Sequence, residues 1–291
     1  MDNDCRNLSR VPHPSADLKE AQERSKRRQN FFCASSVFFC AFLWLSQSFV
    51  SEPSAVSVLV FTKTTGFRHD SIPTGIAAIE SFGFEVEATE DATVFNPQNL
   101  PRYRVVVFLN TTGDILNLSQ QAAFESFIKQ SGGFVGIHSA SDTEYGWPFY
   151  GELIGAYFSG HPDIQTARTR VIDATHPSTQ RLPLDWLRTD EWYDFGVDPS
   201  RNVNVLITVD ENTYSGGNMG AHHPISWHHE YSGGRSWYTA MGHTIDSYRE
   251  PLFLDHILGG ILWAADAGRP APAENDLPRR VIRRPSRRGL S

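Results

Sequence analysis

Val56-Ser57-Val58-Leu59-Val60-Phe61-Thr62 is an apolar, β-branched run ending in a turn. That is the pattern of a strand buried on both faces of a parallel sheet. Three more runs follow: Phe84–Thr89, Val105–Asn110 and Phe134–Ile137. Helical stretches separate them. Ser71 and Pro73 open one that runs to about Ser81 and closes at Gly83. Ser119 is the expected cap of another through Gln130, with Ala122, Ala123, Phe124, Phe127 and Ile128 at helical spacing and Gly132-Gly133 at its end. This alternation predicts a doubly wound, mainly parallel α/β sheet. Beyond residue 165 the texture changes. Arg168–Asp173, Val203–Val209, Ile225–Tyr231 and Arg235–Ala240 read as strands, the last two flanking the hairpin signal Ser232-Gly233-Gly234. Pro251–Ala265 closes as a helix. An antiparallel portion is therefore expected beside the parallel half.

The 291 residues suit one domain, about 55–267, with extensions. The polar tail 1–30 ends in Lys26-Arg27-Arg28, just before the uncharged run 31–50, FFCASSVFFCAFLWLSQSFV. Twenty such residues can cross a bilayer, and the basic cluster predicts a cytoplasmic N-terminus. The expected setting is the secretory pathway: a single-pass type II anchor, or a secreted protein if the segment is a cleaved signal peptide. Asn110-Thr111-Thr112 and Asn117-Leu118-Ser119 match the glycosylation acceptor pattern. The Pro- and Arg-rich stretch 268–291 reads as a disordered basic tail. The formal net charge is -7, yet the two ends are basic, leaving 12 basic and 26 acidic residues between 31 and 268. An acidic core is a poor nucleic-acid binder and better suits a neutral or cationic small ligand. Cys5, Cys33 and Cys40 all precede residue 41, so the domain has no thiolate nucleophile, thiolate metal ligand or disulfide.

In an open α/β sheet, ligands bind beyond the carboxyl ends of the strands. Those ends carry Lys63–Ser71, then Asn110-Thr111-Thr112-Gly113-Asp114, then Gly136-Ile137-His138-Ser139-Ala140-Ser141-Asp142-Thr143. Each is a polar, glycine-containing loop. The Phe134–Ser139 stretch resembles a nucleophile elbow, with His138 or Ser139 where a cysteine amidotransferase presents its thiol. A serine nucleophile would need a histidine base and an orienting acid, for which His138, Asp142, His161 and His243 are available. The second half adds Phe158–Pro162, Asp190-Glu191-Trp192-Tyr193 and the segment from Pro224 to His243. Trp192, Tyr193, Trp227 and Trp237 offer aromatic faces of the kind that hold carbohydrate. His228 and His229 are neighbours on a strand and point to opposite faces, so they cannot chelate together. No metal-ligand spacing such as His-x-x-x-His is present. No cofactor is expected; scattered His, Asp and Glu residues are the one route left for a divalent metal.

Gly66–Ser71, Gly133–Asp142, Gly160-His161-Pro162, Asp190–Tyr193, Pro224–Trp227, Gly234-Arg235 and Gly242-His243 occur in this order. They resemble the ThuA-like, or trehalose utilisation, family across the whole domain. The resemblance implies a flavodoxin-like fold of the class I glutamine amidotransferase type without the amidotransferase cysteine, and a link to disaccharide and keto-sugar metabolism. Together with the residues, it points to His138, His69, Asp142 and Glu191 as catalytic groups. Ser139, His161, Trp192, Tyr193, Trp227, His243 and Asn110 are the expected substrate contacts. The leading expectation is an enzyme acting on a sugar or keto-sugar, an isomerase or hydrolase using His/carboxylate acid–base chemistry. The alternatives are a non-catalytic carbohydrate-binding module tethered to a membrane through 31–50, and a hydrolase using Ser139. The expected partner is a small-molecule carbohydrate and no nucleic acid.

Overall fold

The computed structural model describes residues 56–266. The tail 1–30, the hydrophobic segment 31–50 and the basic tail 268–291 lie outside the described residues. Among the described residues no helix is long and apolar enough to cross a membrane.

Four strands and two helices open the domain: β1 (Ser57–Phe61), α1 (Ile72–Glu80), β2 (Glu85–Thr89), β3 (Val105–Leu109), α2 (Leu118–Lys129) and β4 (Gly133–Ile137). Then come α3 (Pro148–Ile154), β5 (Phe158–Gly160), β6 (Gln165–Val171), β7 (Asp185–Asp190) and β8 (Asp194–Phe195). β9 (Asn204–Val209), β10 (Pro224–Tyr231), β11 (Gly234–Thr239) and α4 (Pro251–Ala265) complete it. Nine strands form one sheet in the order β2-β1-β3-β4-β11-β10-β9-β6-β7. The pairs β1/β2, β1/β3, β3/β4 and β4/β11 are parallel; β10/β11, β9/β10, β6/β9 and β6/β7 are antiparallel. The flavodoxin-like parallel half and its antiparallel addition are thus both observed. β11 is the hinge of the design, completing the parallel half on one side and the hairpin on the other.

β1, β3 and β4 are buried nearly throughout, as strands covered on both faces must be. On one face α2 and α3 pack through Phe108, Phe124, Phe134 and Tyr150, whose ring centroids lie 5.4–5.9 Å apart where they meet. On the other, α4 lies against Trp237. Gly260 is needed there, because a Cβ would overlap the indole ring.

Several local expectations change. Asn117, not Ser119, caps α2: its side chain accepts from the Gln120 backbone N–H while the Gln120 side chain accepts from the Asn117 N–H. Asn110 is fully buried, so its acceptor pattern has no exposed amide to offer. After the elbow comes a short 3-10 helix, His138–Asp142, and α3 follows separately. β7 was not legible because its hydrophobic alternation is lost. Arg188 and Asp190 point inward while Leu187 is exposed.

His228 and His229 do take opposite faces of β10. His229 Nε2 donates to the Leu153 carbonyl in α3, and His228 stacks on His176 at 4.4 Å, beside Trp263. Burial pushes His176 and His256 down to about 3 and His228 to about 4. The unfolded chain takes up protons on these rings below its ordinary value near 6.5, whereas the folded chain does not until the lower values. Their contribution therefore makes stability fall as pH drops from about 6.5 toward 4. His243, raised above its ordinary value, works the other way, but burial lowers His69 and His229 as well, so it is one ring against five. Urea midpoints measured at pH 7 and pH 5 are expected to show a lower midpoint at pH 5; an unchanged or higher midpoint would contradict this balance.

Candidate functional site

Four strands deliver one donor each to the same edge. His69 comes from the loop after β1, His138 is the first residue beyond β4, Glu191 the first beyond β7, and His243 follows β11. One ligand-type atom from each lies within 4.8 Å of every other, and all but His243 are buried. β7 stands four places from β11 in the sheet, yet Asp190 at its end accepts from the backbone N–H groups of Gly242 and His243 at 2.9 and 3.0 Å. The antiparallel half curls over, and that curl brings Glu191 to the cluster.

His138 sits at φ +53°, a left-handed conformation that costs a non-glycine residue on the order of 1–3 kcal/mol. The surroundings hold it there. Its Nδ1 lies 2.7 Å from the Ala240 carbonyl, the Tyr238 hydroxyl donates to its own carbonyl, and its ring packs on Tyr193 at 4.2 Å. The strained elbow position thus belongs to His138 rather than Ser139.

The electrostatics follow from burial and crowding. Burial, with His138 and His243 alongside, pushes His69 down to about 2 and leaves it neutral. Burial alone would raise the Glu191 carboxyl, but its contacts with His138 and His243 outweigh that and hold it well below the usual carboxylate range. Burial would lower His243, but the hydrogen bond and charge of Glu191 outweigh it and raise the ring. Toward solvent, His161 Nδ1 lies 3.1 Å from the other Glu191 oxygen. A cleft of about 410 Å³ beside His161 is lined by Gly160, Asp194, Phe195, Asn218 and Met219. That volume is within the range of small-molecule sites.

The sequence matches the family model described as trehalose utilisation, ThuA, over residues 57–264. The chain belongs to the ThuA family. Among solved structures it is similar to a ThuA-like protein from Bacteroides uniformis, at 20% identity and a TM-score of 0.64, covering 75% of this chain and 94% of that one. A ThuA-like protein from Parabacteroides merdae matches at 21% identity and a TM-score of 0.62, covering 77% and 95%. A cytoplasmic protein from Salmonella typhimurium matches at 12% and 0.51, covering 71% and 98%. At these identities the likeness is one of fold. No curated protein matches the chain significantly.

Within this ThuA domain, the expected site residues fall into four groups. His69, His138, Glu191 and His243 converge, with His161 and the Tyr193 ring against them. Asp142 is half-buried at the rim, where burial raises its carboxyl and the Tyr145 hydroxyl donates to it at 2.7 Å. Ser139 and Asn110 are buried supports. Ser139 Oγ is 3.4 Å from His69 Nδ1, and Asn110 Nδ2 donates to Ser71 Oγ and lies 3.4 Å from the Gly242 carbonyl. Trp192 and Trp227 are corrections: both are fully buried, with indole N–H groups donating to the Gln165 and Ile154 carbonyls. They present no face to a ligand. The exposed rings at this edge are Phe67, edge-on to His69 at 4.8 Å, and Tyr145. Sequence reasoning passed over Phe67 although it stands two residues before His69. It also passed over Arg188 and Asp190 as a supporting pair, having no strand on which to put them.

Proposed function

We propose that this ThuA-family chain is an enzyme acting on a sugar or keto-sugar, of isomerase or hydrolase type, through His and carboxylate groups at the strand-end cluster. The observation that carries the reading is the convergence of three histidines and Glu191, with His161 lying between Glu191 and a ligand-sized cleft and the exposed Phe67 ring against His69. Isomerisation next to a carbonyl, or hydrolysis of a keto-glycoside, needs a group to take a proton and another to return it. In this reading His138 or His69 moves that proton. Glu191 orients the rings, and Asp142 and His161 stand nearest solvent. The absence of cysteine from the domain removes thiol-dependent glutamine chemistry. The hydrophobic run 31–50 supports placement in the secretory pathway, tethered or released.

The full chain, screened by thermal shift against mono- and disaccharides and their 3-keto forms, is expected to gain melting temperature with one sugar class. That class is then expected to be turned over. Saturable binding with no product at high enzyme concentration would instead favour the carbohydrate-binding module. No shift with any sugar would remove the substrate reading.

A further inference from the structure

Around the cluster, hydrogen positions can be assigned by elimination. The Ala240 carbonyl only accepts, so His138 Nδ1 carries the proton of that 2.7 Å bond. His138 Nε2 then turns a lone pair toward Glu191 Oε2 at 3.4 Å and His243 Nδ1 at 3.2 Å. Glu191 Oε2 and His243 Nδ1 are 3.0 Å apart. These three atoms thus face one another across a buried space, and with His138 Nε2 unprotonated the one proton they can share is that of His243 Nδ1.

The spacing has a simple reading. Tetrahedral donors about 2.0–2.1 Å from a zinc-like ion lie about 3.3 Å from each other, and imidazoles bound to it have ring centroids roughly 5 Å apart. The donor separations here are 3.0, 3.2 and 3.4 Å. The centroids of His69, His138 and His243 are 4.8, 4.9 and 5.2 Å apart, with planes 83–88° to one another. The outer supports also fit a ligand set: Ala240 fixes the His138 tautomer, Ser139 faces His69 Nδ1, and Asp190 holds the His243 backbone. Among the described residues, the side-chain partners of the Glu191 carboxylate are histidine rings.

We propose that His69, His138, Glu191 and His243 bind one divalent first-row transition cation. Three imidazoles and one carboxylate suit zinc and its neighbours rather than calcium or magnesium, which take oxygen ligands. A second group, Asp194, Glu211 and His223, offers three donors rather than four and only one imidazole; Asp194 accepts from Asn218 and Glu211 from Met219, and the His223 ring lies 2.8 Å from both Glu211 Oε1 and the Tyr193 carbonyl. The inference rests on the same cluster as the catalytic reading. There a cation would polarise a sugar carbonyl or hydroxyl, and with His69 and His138 bound to it the proton transfer assigned to them above would pass to His161 and Asp142.

The test reads metal without turnover, so it fails separately from the sugar assignment. The full chain is stripped with EDTA, reloaded with Zn²⁺ or Co²⁺, and its metal content measured by mass spectrometry. The expected result is about one equivalent, tetrahedral-type visible bands with Co²⁺, and at least about 100-fold weaker binding in His243→Ala and Glu191→Gln. Near-UV circular dichroism checks that both variants fold. His222→Ala, on an exposed loop outside the cluster, is expected to bind as the parent does. No uptake, or uptake that these two substitutions leave unchanged, would overturn the proposal, whatever the enzyme does with sugars.

Discussion

Asp190→Ala is expected to destabilise the domain by about 3–5 kcal/mol, read as a fall in the urea midpoint. Asp190 is fully buried and pairs with Arg188 at 2.9 Å, itself buried between the Trp186 and Phe253 rings. Removing one partner of a buried pair strands the other charge, and that uncompensated cation is the main cost. The Glu250 carboxylate, 3.6 Å from Arg188, offsets part of it. The carboxylate also accepts from the N–H groups of Glu191, Gly242 and His243 and from the Ser247 hydroxyl. Alanine therefore frees two of the four cluster-bearing loops at once. A drop under 1 kcal/mol would mean that Arg188 finds solvent or Glu250 easily, and that the cluster's support lies elsewhere.

His138→Asn is the second large effect, expected in turnover rather than in stability. Asparagine is one of the few side chains tolerant of the left-handed backbone held at this position, whereas alanine would add strain to the loss of contacts. If His138 moves a proton, loss of the imidazole lowers kcat by about 10²–10⁴-fold on the sugar the chain accepts. The near-UV circular dichroism spectrum should stay that of the parent. Unchanged turnover of every accepted sugar by a folded His138→Asn chain would sink the assignment.

Much of this molecule was legible along the chain. The parallel strands announce themselves as unbroken apolar runs because both of their faces are covered. The loops after β1 and β4 carry their histidines where strand ends must open to ligand. β7 was hidden for the opposite reason: two of its three inward positions bear a buried ion pair and its middle outward one a leucine, so hydrophobic alternation is lost. The tryptophans misled because an aromatic side chain on a strand looks the same whether it faces a cleft or the core. Their indole N–H groups found backbone carbonyls deep inside.

By itself, the sequence determined the fold class, the absence of thiol chemistry in the domain, and the edge of the sheet where the site must lie. Periodicity and residue type are local properties, and these conclusions need nothing more. Only the tertiary structure decided that the cluster has four members. Each comes from a different loop, so no ligand spacing exists to be read. Glu191 arrives only because the antiparallel strands curl back until Asp190 reaches the turn after β11, a closure set by sheet twist and packing between residues about fifty positions apart.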